Sequence, residues 1–232
     1  MALLIALLLG TAGASPSVPA THQQAPVEKV RDARLSQALT ALLAKNNALA
    51  LQLFDPLLAE YEALHRNEKS QIFCAEGAQE TLLYLTESAA AKPPRNAIAI
   101  APDWCLALWG KGYVLIDMGK PDAGIPFLQK AIAMRPHRAQ YLNELGYAFK
   151  QLKDWPASLD AYRRAEEAAE SSGPDRARDL GRAWFGIAYV MVELGRWDDA
   201  EALLQKCLKL DPNNVNAKSE LEYIKKNRPK SI

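Results

Sequence analysis

Residues 108–136 read LWGKGYVLIDMGKPDAGIPFLQKAIAMRP, and residues 184–212 read WFGIAYVMVELGRWDDAEALLQKCLKLDP, two stretches of equal length. A third copy lies between them, shifted by 34 residues from the first. Leu108, Leu142 and Trp184 share one register, then Gly112, Gly146 and Ala188, then Leu115, Phe149 and Met191. The same frame aligns Gly124, Ser158 and Ala200, then Leu128, Tyr162 and Leu204, then Ala131, Ala165 and Cys207. Pro102, Pro136 and Glu170 stand 34 residues apart, whereas Pro212 follows Glu170 by 42, which marks eight inserted residues. Large side chains supply knobs where helices pack, and small ones recur where two helices touch. A constant period means one structural unit repeated.

This pattern resembles the tetratricopeptide repeat, whose large apolar residue, small residue four positions on, second small residue and closing Pro are matched by both quoted stretches. The resemblance implies an all-α fold, a right-handed superhelix of stacked antiparallel helix pairs, with repeats at 105–138, 139–172 and 181–214. Each unit cannot bury both its faces alone, so the units must stack. Gly119 and Gly195 stand where a first helix must stop and a left-handed residue costs least, and Lys153 replaces them in the middle copy. Asp154 is placed to cap the next helix. The insertion at 173–180 is expected to lengthen both neighbouring helices by about one turn.

Outward from this stack, residues 71–104 keep the 34-residue frame through Cys74, Ala78, Ala97 and Pro102 and read as a degenerate repeat with a second helix shortened by Pro93 and Pro94. Residues 27–70 read as a capping helical hairpin, its second helix starting at Asp55 and Pro56. Residues 215–232 read as a capping helix and tail, with Leu221 and Ile224 on one face.

The composition fits this frame. Of 232 residues, 49% are hydrophobic and 24% charged, which excludes a disordered, collagen-like or multi-span membrane chain. Ala and Leu outnumber Val and Ile about four to one, and unbranched side chains lose little rotamer freedom in helices. A net charge of +1 supplies no field to gather nucleic acid or anionic lipid. Three Cys and three His, without a Cys-x-x-Cys or a paired His motif, imply no metal site and no cofactor. His22, His65 and His137 fall in different segments, so no acid, base and nucleophile set is visible and no catalytic residue is assigned. Gly110 and Gly112 lie inside a first helix, where they serve close packing rather than phosphate binding.

Residues 1–27 carry no charged side chain, and the apolar run Ala2–Leu9 fades into small residues at Ala12 and Ala14. Residues 1–14 therefore read as a signal peptide, too short for a stable membrane anchor, followed by a Pro-rich disordered tether at 15–26. Secretion or a periplasmic location is expected, with the cytoplasm as the alternative because no Lys or Arg precedes the run. Cys74 and Cys105 sit on adjacent copies, and both a disulfide and two free thiols are compatible with the sequence. Cys207 takes a small-residue register and is expected to be buried.

The resemblance also implies a concave groove lined by first helices. Carried over by register, its residues are Leu106, Trp109, Tyr113 and Ile116, then Asn143, Tyr147 and Lys150, then Arg182, Phe185 and Tyr189. Such an aromatic ladder suits an extended or helical peptide. The family's carboxylate-clamping set is incomplete: Asn143 and Arg182 are present, but the partner Asn register holds Tyr. The reading is a non-catalytic adaptor or scaffold binding a protein or peptide partner. The alternatives are an accessory subunit of an envelope complex and a self-assembling structural protein.

Overall fold

The computed structural model describes residues 32–229. The signal peptide at 1–14, the tether at 15–26 and the first residues of the N-terminal hairpin lie outside the described residues. In chain order the elements are α1 (Ala33–Leu43), α2 (Asn47–Leu64), β1 (Gln71–Cys74), α3 (Ala78–Ala90), β2 (Ala97–Ile100) and α4 (Asp103–Asp117). They continue with α5 (Pro121–Met134), α6 (Ala139–Gln151), α7 (Trp155–Ala169), α8 (Arg176–Glu193), α9 (Trp197–Leu210) and α10 (Val215–Asn227).

Four helical hairpins, α1–α2, α4–α5, α6–α7 and α8–α9, close in one way. Lys45, Gly119, Lys153 and Gly195 hold φ of 57°, 73°, 59° and 74°. In each, the N–H of the following residue returns to a carbonyl five positions back: Asn46 to Ala41, Lys120 to Leu115, Asp154 to Phe149 and Arg196 to Met191. This Schellman closure satisfies the carbonyls a helix leaves open, and Lys at two of the four positions accepts the strain that Gly avoids. Asn46 and Asp154 then cap the second helices, accepting from the N–H groups of Leu49 at 3.2 Å and Ala157 at 3.1 Å.

The hairpins stack in sequence, with α2 packed on α4, α5 on α6 and α7 on α8. One contiguous apolar interior runs from Leu35 and Phe54 through Leu108, Leu128 and Leu142 to Leu180, and a second carries Tyr162, Ile187, Leu204 and Ile224. The glycines read as packing residues serve that purpose: the Phe54 ring occupies the space of a Cβ at Gly110, and Leu128 does so at Gly112.

Residues 71–104 depart from the expected helix pair. They form a βαβ unit in which β1 and β2 run parallel, Gln71 opposite Ala97 and Cys74 opposite Ile100, with α3 as the crossover. The alternation Ala97-Ile98-Ala99-Ile100 has the period of a strand, not of a helix. Gly77, at φ 87°, turns the chain from β1 into α3. The unit sits beside the stack, not in it, because α1–α2 takes the stacking position before α4. Arg135, in the α5–α6 turn and only 5% exposed, holds it with Nε and Nη2 each 2.8 Å from the Glu80 carboxylate and Nη2 3.0 Å from Glu76. His137 Nε2 reaches Glu87 at 3.0 Å. A disulfide joins Cys74, at the end of β1, to Cys105, in the first turn of α4.

Two further expectations are corrected. Asp55 and Pro56 do not start a helix: α2 starts at Asn47 under the Asn46 cap, and Pro56 lies inside it. The donor lost at Pro56 faces the carbonyl of Gln52, an exposed residue. The inserted residues do not lengthen both neighbours. A 3-10 turn at Gly173–Asp175 ends the connection, and α8 takes the added length, with 18 residues against 13 in α6 and 15 in α4. Among the described residues no helix is long and apolar enough to cross a membrane, and no group of three or more His, Cys, Asp or Glu side chains could hold a metal ion.

Candidate functional site

The first helices α4, α6 and α8 border one cleft of about 390 Å³, which Tyr162 of α7 and Asn216 of α10 complete. Of the residues assigned to the groove, Tyr113, Ile116, Asn143, Tyr147, Lys150, Arg182 and Phe185 line it. Ile116 is 1% exposed and forms part of the floor. Tyr147 is 38% exposed and stands at the rim. Tyr189 lies beside the cleft: Lys150 Nζ is 4.3 Å from its ring centroid and 4.8 Å from that of Tyr147, so one ammonium bridges two aromatic faces.

Leu106 and Trp109 belong to the interior instead. Trp109 is 9% exposed, stacks on Tyr141 at 6.1 Å and tilts against Tyr113 at 5.6 Å, while Leu106 packs against the core. The physical reason is angular. A first helix in a stack touches its own second helix and a neighbouring repeat, so only a narrow stripe stays open, and a register carried over from an aromatic can turn inward.

The electrostatics of the cleft come from paired and unpaired groups together. Asp117, on its α4 wall, accepts from Lys45 Nζ at 2.8 Å and from Asn47 Nδ2 at 2.9 Å. These hydrogen bonds, Lys45 first, hold its carboxyl below the usual range. Glu144, on α6, is 3% exposed, and burial pushes its carboxyl up although Arg182 Nη2 of the next repeat lies 3.2 Å away. Burial also lowers the Lys150 ammonium, which has no carboxylate within ion-pair distance among the described residues. Asn143 donates from Nδ2 to the Asp179 carbonyl at 3.1 Å, and its Oδ1 is buried without a partner.

Glu144, Tyr162 and Asn216 were not legible as cleft residues from the repeat pattern. A signal for Glu144 existed: its register holds Gly110 and Gly186 in the flanking copies, so a carboxylate there is out of place in a packing position. Tyr162 was legible only as a packing residue, and Asn216 only as part of a terminal cap.

Residues 107–138 and 137–213 match tetratricopeptide repeat profiles. No curated protein sequence matches the chain significantly. Among solved structures, MamA protein is 15% identical over 83% of this chain and 79% of its own, with a TM-score of 0.54. YrrB, a TPR protein with an unusual peptide-binding site, is 12% identical over 82% of this chain and 73% of its own, with a TM-score of 0.52. The first TPR domain of human RPAP3 is 22% identical over 54% of this chain and 93% of its own, with a TM-score of 0.49. The helical stack of this chain is a solenoid, and its residues 107–213 carry tetratricopeptide repeats.

Proposed function

We propose that the protein is a non-catalytic adaptor that holds a segment of a partner protein in the cleft between α4, α6 and α8. The observation that carries this reading is that Tyr113, Tyr147 and Phe185, one ring from each of three successive repeats, line one open cleft. The rings offer apolar area at low entropy cost. Lys150, without a carboxylate partner, adds a cation at the rim. The peptide-binding site named for YrrB supports the same use of the architecture.

The adaptor works outside the cytoplasm. The apolar leader at 1–14 supports export, and so does the Cys74–Cys105 disulfide, since such bonds persist in oxidising compartments. N-terminal sequencing of protein from the native host tests it: a mature chain starting near Ser15 is expected, and an intact Met1 overturns export.

For the cleft, a photo-crosslinking amino acid in place of Tyr147 is compared in the native host with one in place of Arg163, an exposed residue of α7. A partner crosslinked from Tyr147 alone is expected. A peptide of the crosslinked segment should then bind Tyr147→Ala/Lys150→Ala at least about tenfold more weakly than wild type, a loss of about 1.4 kcal/mol. Equal crosslinking from both positions, or unchanged peptide affinity, rejects the cleft.

A further inference from the structure

The chain's net charge of +1 conceals a local excess of positive charge at one end of the βαβ unit. Because β1 and β2 run parallel, the loops that lead into them lie side by side, and the N–H of Gln71 donates to the carbonyl of Asn96 at 2.8 Å. Gln71 pairs with Ala97, so the same register carried two residues back sets Lys69 opposite Arg95. Arg66 and Lys92 stand in the same two loops. All four cations are exposed, and none has a carboxylate within ion-pair distance among the described residues.

The carboxylates around them are directed elsewhere. Glu62 of α2 binds Lys130 at 2.6 Å, and Glu87 of α3 reaches His137 of the α5–α6 turn at 3.0 Å. Asp103 is buried at the far end of β2. Glu68 is the one carboxylate within the two loops, and it accepts the N–H of Ser70 at 2.7 Å. The second loop is closed on itself: the Ser88 carbonyl accepts from the N–H groups of Ala91 at 3.4 Å and Arg95 at 3.0 Å. Lys92, Pro93 and Pro94 form an exposed bridge between those two hydrogen bonds. Apolar groups therefore stand among the cations, and Leu64, two residues before Arg66, is 73% exposed.

We propose that this end of the molecule docks reversibly on an anionic lipid surface, the loop cations lying among the headgroups and Leu64 and Pro93 entering the boundary of the acyl chains. Attraction to anionic lipid grows with each Lys or Arg brought near the surface, and apolar side chains beside them add burial. Exposed loops that carry spaced cations and apolar tips match a broad charged plane. A soluble acidic segment would meet the charges but leave Leu64 in water. The docking face also lies away from the cleft. His65, beside Arg66, stacks at 5.2 Å on Trp104 in the first turn of α4, whereas the cleft begins at Tyr113, about 13 Å further along that helix. A docked molecule keeps its cleft open, and the two proposals stand or fall independently.

Co-sedimentation of the full chain with vesicles at low ionic strength, where screening is weak, tests it. Binding to mixed phosphatidylglycerol and phosphatidylcholine vesicles is expected, with none to phosphatidylcholine alone. Lys69→Glu/Arg95→Glu should lower the partition coefficient at least about tenfold. Lys218→Glu/Lys225→Glu makes the same charge change at exposed positions of α10 and should leave it unchanged. Leu64→Ser keeps every charge and should still lower it at least about threefold. Circular dichroism checks the fold of each variant, and Lys69→Gln/Arg95→Gln replaces the charge reversal if that variant does not fold. Absence of binding to the anionic vesicles overturns the proposal, and so do equal losses from the two double variants. A Leu64→Ser variant that binds like wild type overturns it too, and leaves the loops to a soluble acidic partner.

Discussion

The ring of Tyr162, on α7, lies directly against the backbone of Gly186, on α8 of the next repeat, in the space a Cβ would occupy. The same ring borders Gly146 of its own repeat, with Cδ1 2.8 Å from the position of a Cβ there. Phe54 stands in the same relation to Gly110. In the repeat between, whose preceding second helix contributes the smaller Leu128, the register of Gly110 and Gly186 holds Glu144. Ring size on one repeat and side-chain size on the next are matched, which is how the stack keeps its packing dense.

Gly186→Ala should therefore destabilise the protein. Overpacking costs about 1–3 kcal/mol, offset by up to about 1 kcal/mol of helix propensity. Gly181→Ala, in the same helix, meets nothing within 4 Å and should stabilise by about 0.5–1 kcal/mol. Urea unfolding of the two variants separates packing from propensity, and equal effects would refute the packing account.

Trp109 and Tyr147 should respond in opposite ways. Trp109 is in the core, and truncating it to Ala removes a large buried ring, at a cost of about 3–5 kcal/mol. Tyr147→Ala, at the rim, should stay within about 0.5 kcal/mol of wild type, as surface changes do. Denaturant midpoints measure both. A rim-like response at Trp109 would restore it to the groove.

These two residues also mark how far the sequence could be read. The 34-residue period located the hairpins, their Gly119 and Gly195 closures and the left-handed Lys153, because those features follow from local geometry that every copy must repeat. The direction of a side chain within its helix was less legible. Trp109 and Tyr113 are one turn apart, yet one ring is interior and the other faces the cleft, and this is set by the neighbouring Tyr141 of another repeat. Residues 71–104 were misread because four residues of alternating Ala and Ile are a weak signal beside a frame that Cys74 and Pro102 keep by position. Parallel strands also need a crossover helix, and α3 is the helix that the repeat frame led one to expect.

The disulfide gives a thiol-counting prediction. Cys74 and Cys105 are paired and Cys207 is buried, with burial pushing its thiol up to about 11. Alkylation of the native protein should label no cysteine, and unfolding without reductant should expose Cys207 alone. Labelling of all three would remove the bond. Its two cysteines are 31 residues apart, so the chain-entropy model assigns the cross-link about 3–4 kcal/mol. Cys74→Ser/Cys105→Ser should unfold at correspondingly lower urea.

Two carboxylates should give the stability–pH curve opposing components. Burial pushes the Glu80 carboxyl up, but hydrogen bonds from Arg135, the Glu76 N–H and Tyr84 outweigh it, and the group is held below its ordinary 4.5. Its contribution is present above pH 4.5 and is lost as pH falls through the lower folded value. Glu144 is the reverse: burial outweighs Arg182 and raises it above 4.5. The folded state then binds more protons than the unfolded one, so stability from this group declines as pH rises from 4.5 through the raised folded value. Glu80→Gln should flatten the acid limb of the curve below pH 4.5, and Glu144→Gln should remove the decline above it. Because Arg182 is 45% exposed, water solvates it when its partner loses charge, so Glu144→Gln should leave neutral-pH stability equal to wild type or higher. Urea midpoints across pH measure both limbs, and a Glu144→Gln curve parallel to wild type above pH 4.5 would show that the buried carboxyl does not titrate there.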